Sequence, residues 1–90
     1  MKHLFVISVS TDQARQGVSY VLGRFRDQVA EVVAAIGVED SVLVVITKDI
    51  NDQARQRLRE ALCQYYGVQH VQTSQVYRQV RVELHNHEEV

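Results

Sequence analysis

Two polar stretches carry the side chains best suited to binding an anion. Each follows an apolar run, Leu4–Val9 or Val42–Ile46, and each opens a helical pattern. Helix amino termini attract phosphates and carboxylates, and parallel α/β sheets bind ligands beyond the carboxyl ends of their strands. If both helices start at one sheet edge, the predicted anion site consists of Ser10, Thr11, Arg15, Lys48 and Arg55.

The same stretches are also good helix caps, and this interpretation is favoured. Neither contains the glycines of a phosphate-binding loop, because the chain lacks both G-x-G-x-x-G and G-x-x-x-x-G-K-[ST]. Asp12 and Asp52 stand in the first helical turns, where a carboxylate stabilises the helix but repels an anion. Ser10 and Asn51 precede them and offer side-chain oxygens to free N–H groups.

No residue pattern indicates catalysis or a cofactor. His85 and His87 point to one side of an extended strand, but without a third fixed ligand they form at most a weak, adventitious Zn²⁺ or Ni²⁺ site. Cys63 has no base placed beside it, and a single cysteine excludes a disulfide framework or a multi-cysteine zinc site. We therefore predict no metal site, no cofactor and no enzymatic activity.

Length and composition limit the class of protein. With 90 residues, of which 46% are hydrophobic, the chain is expected to form one domain over residues 1–90. A net charge of -1 does not favour a nucleic-acid binder. The apolar runs are too short for a signal peptide or a membrane span. The lone thiol points to a reducing compartment, so we predict a cytoplasmic protein without membrane contact.

Apolar spacing predicts two helices between the strands. Spacings of three and four residues run through 13–36, which is expected to be one long helix, and continue in a second helix that opens at Asp52. Each pattern is followed by Gly-Val, at Gly37 and at Gly67, which is typical of a helix carboxyl terminus. Gly17 and Gly23 fall inside the first pattern, where close packing is the favoured explanation.

The order of elements predicts a βαβαβ domain with a mainly parallel sheet of three to four strands and two helices. Leu4–Val9 is apolar on both sides, which favours a central strand with one helix on each face. A rival arrangement places both helices on one face and buries the open face, or an edge, in a homodimer. The last strand alternates over residues 76–84, and an extra short strand near residues 68–72 would be the fourth of the sheet.

A short internal repeat adds a resemblance. The pentapeptide Asp-Gln-Ala-Arg-Gln occurs at residues 12–16 and again at residues 52–56, and both copies open a helix that the Gly-Val pattern closes. In this style the chain resembles idealised, de novo designed α/β proteins. The resemblance implies a structural or interaction scaffold without a natural ligand. The alternative function is binding of a phosphorylated or anionic ligand at the paired helix starts.

Overall fold

A computed structural model of the chain describes residues 1–76. These residues form a βαββαβ unit rather than the predicted βαβαβ unit. The six elements are β1 (Lys2–Val9), α1 (Thr11–Arg24), β2 (Val29–Ile36), β3 (Ser41–Thr47), α2 (Asp52–Tyr66) and β4 (Gln72–Val76).

The four strands form one sheet in the order β2-β3-β1-β4, and every neighbouring pair is antiparallel. The prediction of a mainly parallel sheet is therefore wrong. The cause is the extra strand β2, because the hairpin that joins it to β3 turns the chain round before β3 pairs with β1. This order and connectivity are those of the ferredoxin-like, or split βαβ, topology. The expected central place of β1 is confirmed.

Both helices pack on the same face of the sheet, whereas one on each face was favoured from the sequence. The connections β1–α1–β2 and β3–α2–β4 cross the sheet in opposite directions. Their starting strands also run in opposite directions, since β1 and β3 are antiparallel. The two reversals cancel under the right-handed crossover rule, so both helices lie on one side.

The predicted long helix over 13–36 is wrong in its second half, which forms β2. A β-bulge explains the error: the register of β2 against β3 shifts between Val29 and Glu31. The extra residue places Val29 and Val32 on the same, buried face of the strand although they are three positions apart. A bulged strand thus reproduced the spacing of a helix.

The two Gly-Val pairs have different roles. Gly67 ends α2 in the left-handed conformation, with φ of 65°, and this predicted helix end is confirmed. Gly37 instead starts the turn of the β2–β3 hairpin, where its N–H donates to the carbonyl oxygen of Asp40 over 3.0 Å. A Cβ at Gly37 would overlap that oxygen, so the turn requires glycine.

The predicted caps at both helix starts are confirmed. The Ser10 Oγ accepts a hydrogen bond from the N–H of Gln13 at 3.1 Å, and the Gln13 side chain accepts one from the N–H of Ser10 at 2.9 Å. This reciprocal pair is a capping box. The Asn51 Oδ1 accepts from the N–H of Ala54 at 2.8 Å. Local side chains therefore fix where both helices begin.

The last described strand, β4, lies at a different position from the strands expected near the carboxyl terminus. The extra short strand was expected near residues 68–72. Residues 68–71 instead form a loop, and β4 occupies Gln72–Val76. Of the predicted last strand over 76–84, only Val76 lies within the described residues. β4 pairs with β1 and forms one edge of the sheet.

The core lies between the sheet and the two helices. Alternate residues of β1 and β3 face the helices and are fully buried, led by Phe5 and Leu43. Leu58 and Leu62 of α2 and Val21 of α1 fill the space above them. The residues between them on β1 and β3 face away from the helices, and within residues 1–76 no further element covers that face of the sheet.

Candidate functional site

The face of the sheet opposite the helices carries an aliphatic surface, which we call the open face. Its central row joins Val33, Val44 and Val6 across β2, β3 and β1. The next row pairs Ile46 with Leu4. The Val33 side chain is 45% exposed, and the other four side chains of these two rows are half-buried. The members of the open face are Leu4, Val6, Val33, Val42, Val44 and Ile46.

Charged side chains are sparse on this surface and stand at its margin. Lys2 lies at one end of β1, and Glu31 lies on the edge strand β2, in the row of Ile46 and Leu4. Ser8 borders the other end, and the exposed residues Gln72 and Ser74 of β4 pair with Val6 and Leu4. An apolar centre with a polar rim is the usual composition of a protein interface.

The structure divides the predicted anion site between opposite ends of the sheet. Ser10, Thr11 and Arg15 belong to the α1 start, beyond Val9, which pairs with Ser41. Lys48 and Arg55 belong to the α2 start, beyond the other end of β3. The six steps between Ser41 and Thr47 separate the two ends by about 20 Å at the usual rise per strand residue. The predicted pairing of the helix starts is therefore wrong, because it depended on a parallel sheet.

The polar groups at the α1 start are used by the fold. The Ser10 hydroxyl caps α1, as described above. The Thr11 Oγ1 lies 3.2 Å from the Ser41 Oγ, which ties the helix start to β3. Arg15 is exposed on the first turns of α1. The α1 start thus has little left with which to bind a ligand.

At the other end of the sheet, a cavity of about 460 Å³ lies between the α2 start and the β1–β4 edge. We call it the α2-start cavity. Gln75 and Thr73 of β4 pair with His3 and Phe5 of β1, so their side chains point to the helix side of the sheet. The lining consists of Met1, His3, Asp52, Arg55, Thr73, Ser74 and Gln75.

His3 is the most unusual residue of this cavity. It is 5% exposed, and its Nε2 is buried without a hydrogen-bond partner among the described residues. Its backbone N–H donates to the Thr47 Oγ1 at 2.9 Å, which fixes β1 against β3. Burial lowers the pKa of the imidazole below 6.5, and the positive charge of Arg55 lowers it further. His3 is therefore neutral at pH 7.

Arg55 provides the cation of the cavity. Its side chain is 28% exposed, and its Nε lies 3.6 Å from the Asp52 Oδ1. The Asp52 side chain is itself 90% exposed, so this pair is solvated and weak. Within residues 1–76, no other carboxylate lies within salt-bridge distance of the guanidinium. Among residues 1–76, Asp52 is thus the one carboxylate that pairs with Arg55.

Arg55 was predicted from the sequence as a site residue, whereas His3, which lines the same cavity, was not. The available signal was alternation in β1, where His3, Phe5 and Ile7 fall on one side of the strand. That side is the core side, so His3 had to be buried. The alternation does not predict that β4 lies beside His3 or that the start of α2 lies above it.

A second buried polar group lies under the two helices. Tyr66 is 8% exposed, and its hydroxyl has no hydrogen-bond partner in the described part of the chain. Burial raises its pKa to about 12. Tyr65 is 53% exposed and stacks on Tyr20, with ring centroids 4.0 Å apart. The ring contacts among Tyr20, Tyr65 and Tyr66 join α1 to α2.

The remaining candidate groups add no further site. In residues 1–76, no group of three or more histidine, cysteine, aspartate or glutamate side chains is arranged to hold a metal ion. His85 and His87 lie outside the described residues. Cys63 is a free, half-buried thiol packed against the core. No helix in the described range is long and apolar enough to cross a membrane.

Comparison of the chain with known protein families, curated proteins and solved structures finds no match. The resemblance to idealised α/β designs stays a prediction. Function is therefore argued from the two features that the fold itself presents, the open face and the α2-start cavity.

Proposed function

We propose that this protein is a non-catalytic interaction domain that associates with a second copy of itself through the open face. The observation that carries the proposal is a four-stranded sheet with both helices on one side and aliphatic side chains on the other. Exposed apolar patches larger than a few hundred Å², especially those with a polar rim, mark interaction sites on folded proteins. The proposed compartment is the cytoplasm, where Cys63 stays reduced.

The dimensions of the open face suit a small dimer interface. Four strands spaced about 4.8 Å apart and about seven residues long give a footprint of about 400 Å² per copy. Two copies together therefore bury a flat footprint of about 800 Å². Because side chains project from the sheet, the accessible surface that is buried is larger and approaches the roughly 1,000 Å² that a specific interface needs. Interfaces at this lower size limit are typical of weak and reversible association, so we expect a dissociation constant of about 1–100 µM.

Charge placement favours a second copy of the chain as the occupant. A twofold axis parallel to the strands places β2 of one copy over β4 of the other, because the rotation exchanges the two edges of the sheet. Glu31 then lies opposite the partner's Ser74, one strand across and two residues along from the partner's Lys2, and the symmetry makes this approach twice. The aliphatic rows meet at the centre, where sheets pack about 10 Å apart. A single surface thus supplies both apolar and ionic complementarity.

The test is the oligomeric state of variants at the centre of the open face. Sedimentation equilibrium over about 1–200 µM chain should show a monomer–dimer equilibrium for the wild type. Val44→Lys places an ammonium in the apolar row and should raise the dissociation constant at least about a hundredfold. Val38→Lys is the matched control, because Val38 is fully exposed in the β2–β3 hairpin and should leave dimerisation unchanged.

The orientation of the dimer has a separate test. Lys2→Glu and Glu31→Lys should each weaken association about two- to fivefold, and the double exchange should restore it. Circular dichroism confirms in each case that the variant is folded. A wild type that stays monomeric throughout contradicts the proposal. If Val44→Lys then lowers the stability of that monomer, the open face is covered by another segment of the same chain instead.

A further inference from the structure

We propose that the α2-start cavity binds a small ligand bearing a carboxylate or phosphate group, held by Arg55 with His3 beside it. This inference does not depend on dimerisation, since the cavity lies on the helix side of the sheet. Apart from His3, Ser41 and Thr47, the buried side chains of residues 1–76 are aliphatic or aromatic.

The buried imidazole of His3 lowers the stability of the fold, because its Nε2 has no hydrogen-bond partner among residues 1–76. A buried donor or acceptor without a partner costs about 1–3 kcal/mol, and such groups in folded proteins call for an explanation. His3 occupies a position on the core side of β1 where the alternation otherwise places Phe5 and Ile7. An aliphatic residue there would pack without that cost. A ligand that forms a hydrogen bond with the imidazole would supply the partner that the buried nitrogen lacks among residues 1–76.

The second argument is the chemistry of the lining. The Arg55 guanidinium is planar and carries five N–H donors, which match the paired oxygens of a carboxylate or phosphate. Gln75 and Thr73 add polar side chains from β4 on the opposite wall. The Asp52 carboxylate also lines the cavity but is mostly solvated, so water screens its repulsion of an anion. These groups favour an anion over a metal ion.

The third argument is the size and position of the cavity. A volume of about 460 Å³ is within the range of small-molecule sites, which span about 300–1,000 Å³. The cavity adjoins the amino terminus of α2, where the first N–H groups of the helix favour negative charge. The Asn51 cap satisfies only the N–H of Ala54 among these groups. The volume admits a small molecule, and the helix direction and the Arg55 donors favour an anion.

The experiment follows the His3 ring by NMR during titration with inorganic phosphate and, separately, with acetate. Sodium chloride at equal ionic strength serves as the reference. We expect a saturable change in the His3 ring resonances, with a dissociation constant of about 1 mM for such minimal anions. The anion that binds more tightly identifies the ligand group. The pKa of His3 should also rise in the complex, because a bound anion favours the charged imidazole.

Two variants distinguish this site from general anion attraction. Arg55→Gln should weaken binding at least about tenfold, since it removes the charged donors from the cavity. Arg57→Gln is the matched control, because Arg57 is on the same helix but lines a different cavity with Phe25 and Leu58. It should change the affinity less than about twofold. Failure of both anions to shift His3, or equal shifts in wild type and Arg55→Gln, overturns the proposal.

Discussion

Alanine substitution of the two glycines in α1 should change stability in opposite directions. A Cβ at Gly17 would lie 2.7 Å from the Leu43 Cδ2 and 2.8 Å from the Tyr66 hydroxyl oxygen. Neither neighbour can turn into solvent, because Leu43 is 0% and Tyr66 8% exposed. A Cβ at Gly23 would have no neighbour within 4 Å. The sequence favoured close packing at both positions, and the structure confirms it only at Gly17.

The magnitudes follow from these contacts. Alanine is better than glycine in a helix by about 0.5–1 kcal/mol, and the lower value suits Gly23 in the last turn. At Gly17 the same gain is opposed by overpacking of the core, which costs about 1–3 kcal/mol. We therefore expect Gly23→Ala to raise the free energy of unfolding by about 0.5 kcal/mol and Gly17→Ala to lower it by about 1 kcal/mol.

Urea denaturation measures both changes, and for a domain of this size each kcal/mol corresponds to about 4–8 °C in Tm. The slope with denaturant should stay constant, which shows that only stability has changed. In the background of Tyr66→Phe, the cost of Gly17→Ala should be smaller, because one of the two overlapping atoms is gone. Equal stability of the Gly17→Ala and Gly23→Ala proteins would refute the close approach of α1 to β3.

The two buried polar side chains give the remaining predictions. Tyr66→Phe should raise the free energy of unfolding by about 1 kcal/mol, measured in urea, because it removes a buried hydroxyl that has no hydrogen-bond partner among residues 1–76. A loss of stability would show that the hydroxyl is bonded. For His3, the pKa is lowered below 6.5 in the folded state, so the unfolded state binds more protons as the pH falls through 6.5. The free energy of unfolding should therefore decrease from pH 7 toward pH 5, and His3→Gln should reduce this decrease; identical pH profiles for the two proteins would contradict the burial of His3.

The two proposed sites lie on opposite sides of the sheet and are expected to be separable. Val44 is the centre of the open face, whereas Arg55 lies above the helix-side face. Val44→Lys should therefore abolish dimerisation and keep phosphate binding, and Arg55→Gln should do the reverse. β1 is the element that both sites share, since Val6 faces one side and His3 the other.

Features that depend on neighbours within four residues were predictable from the sequence. The Ser10 and Asn51 caps and the end of α2 at Gly67 each involve hydrogen bonds within one turn of the chain. Such bonds form wherever the local residues allow them, and the fold around them has little influence. For this reason the helix starts were correct although the sheet was not.

The segment 29–36 shows where local patterns fail. Its valines satisfy a helical spacing, and only the pairing with β3 selects the bulged strand that satisfies the same spacing. That pairing also reverses β3 relative to β1, which moves the two helix starts to opposite ends of the sheet. One misassigned strand therefore removed the predicted five-residue anion site and kept only Arg55 beside a cavity.

The sequence by itself determined two helix starts, a glycine-capped helix end, a central apolar β1 and the residue types available at each helix start. The tertiary structure decided the strand directions, the common face of the helices, the aliphatic open face and the meeting of His3 with Arg55. The physical reason is the range of the interactions. Capping and alternation act over a few residues, whereas strand register and the neighbours of a buried histidine depend on pairings such as His3 with Thr47, which are 44 residues apart.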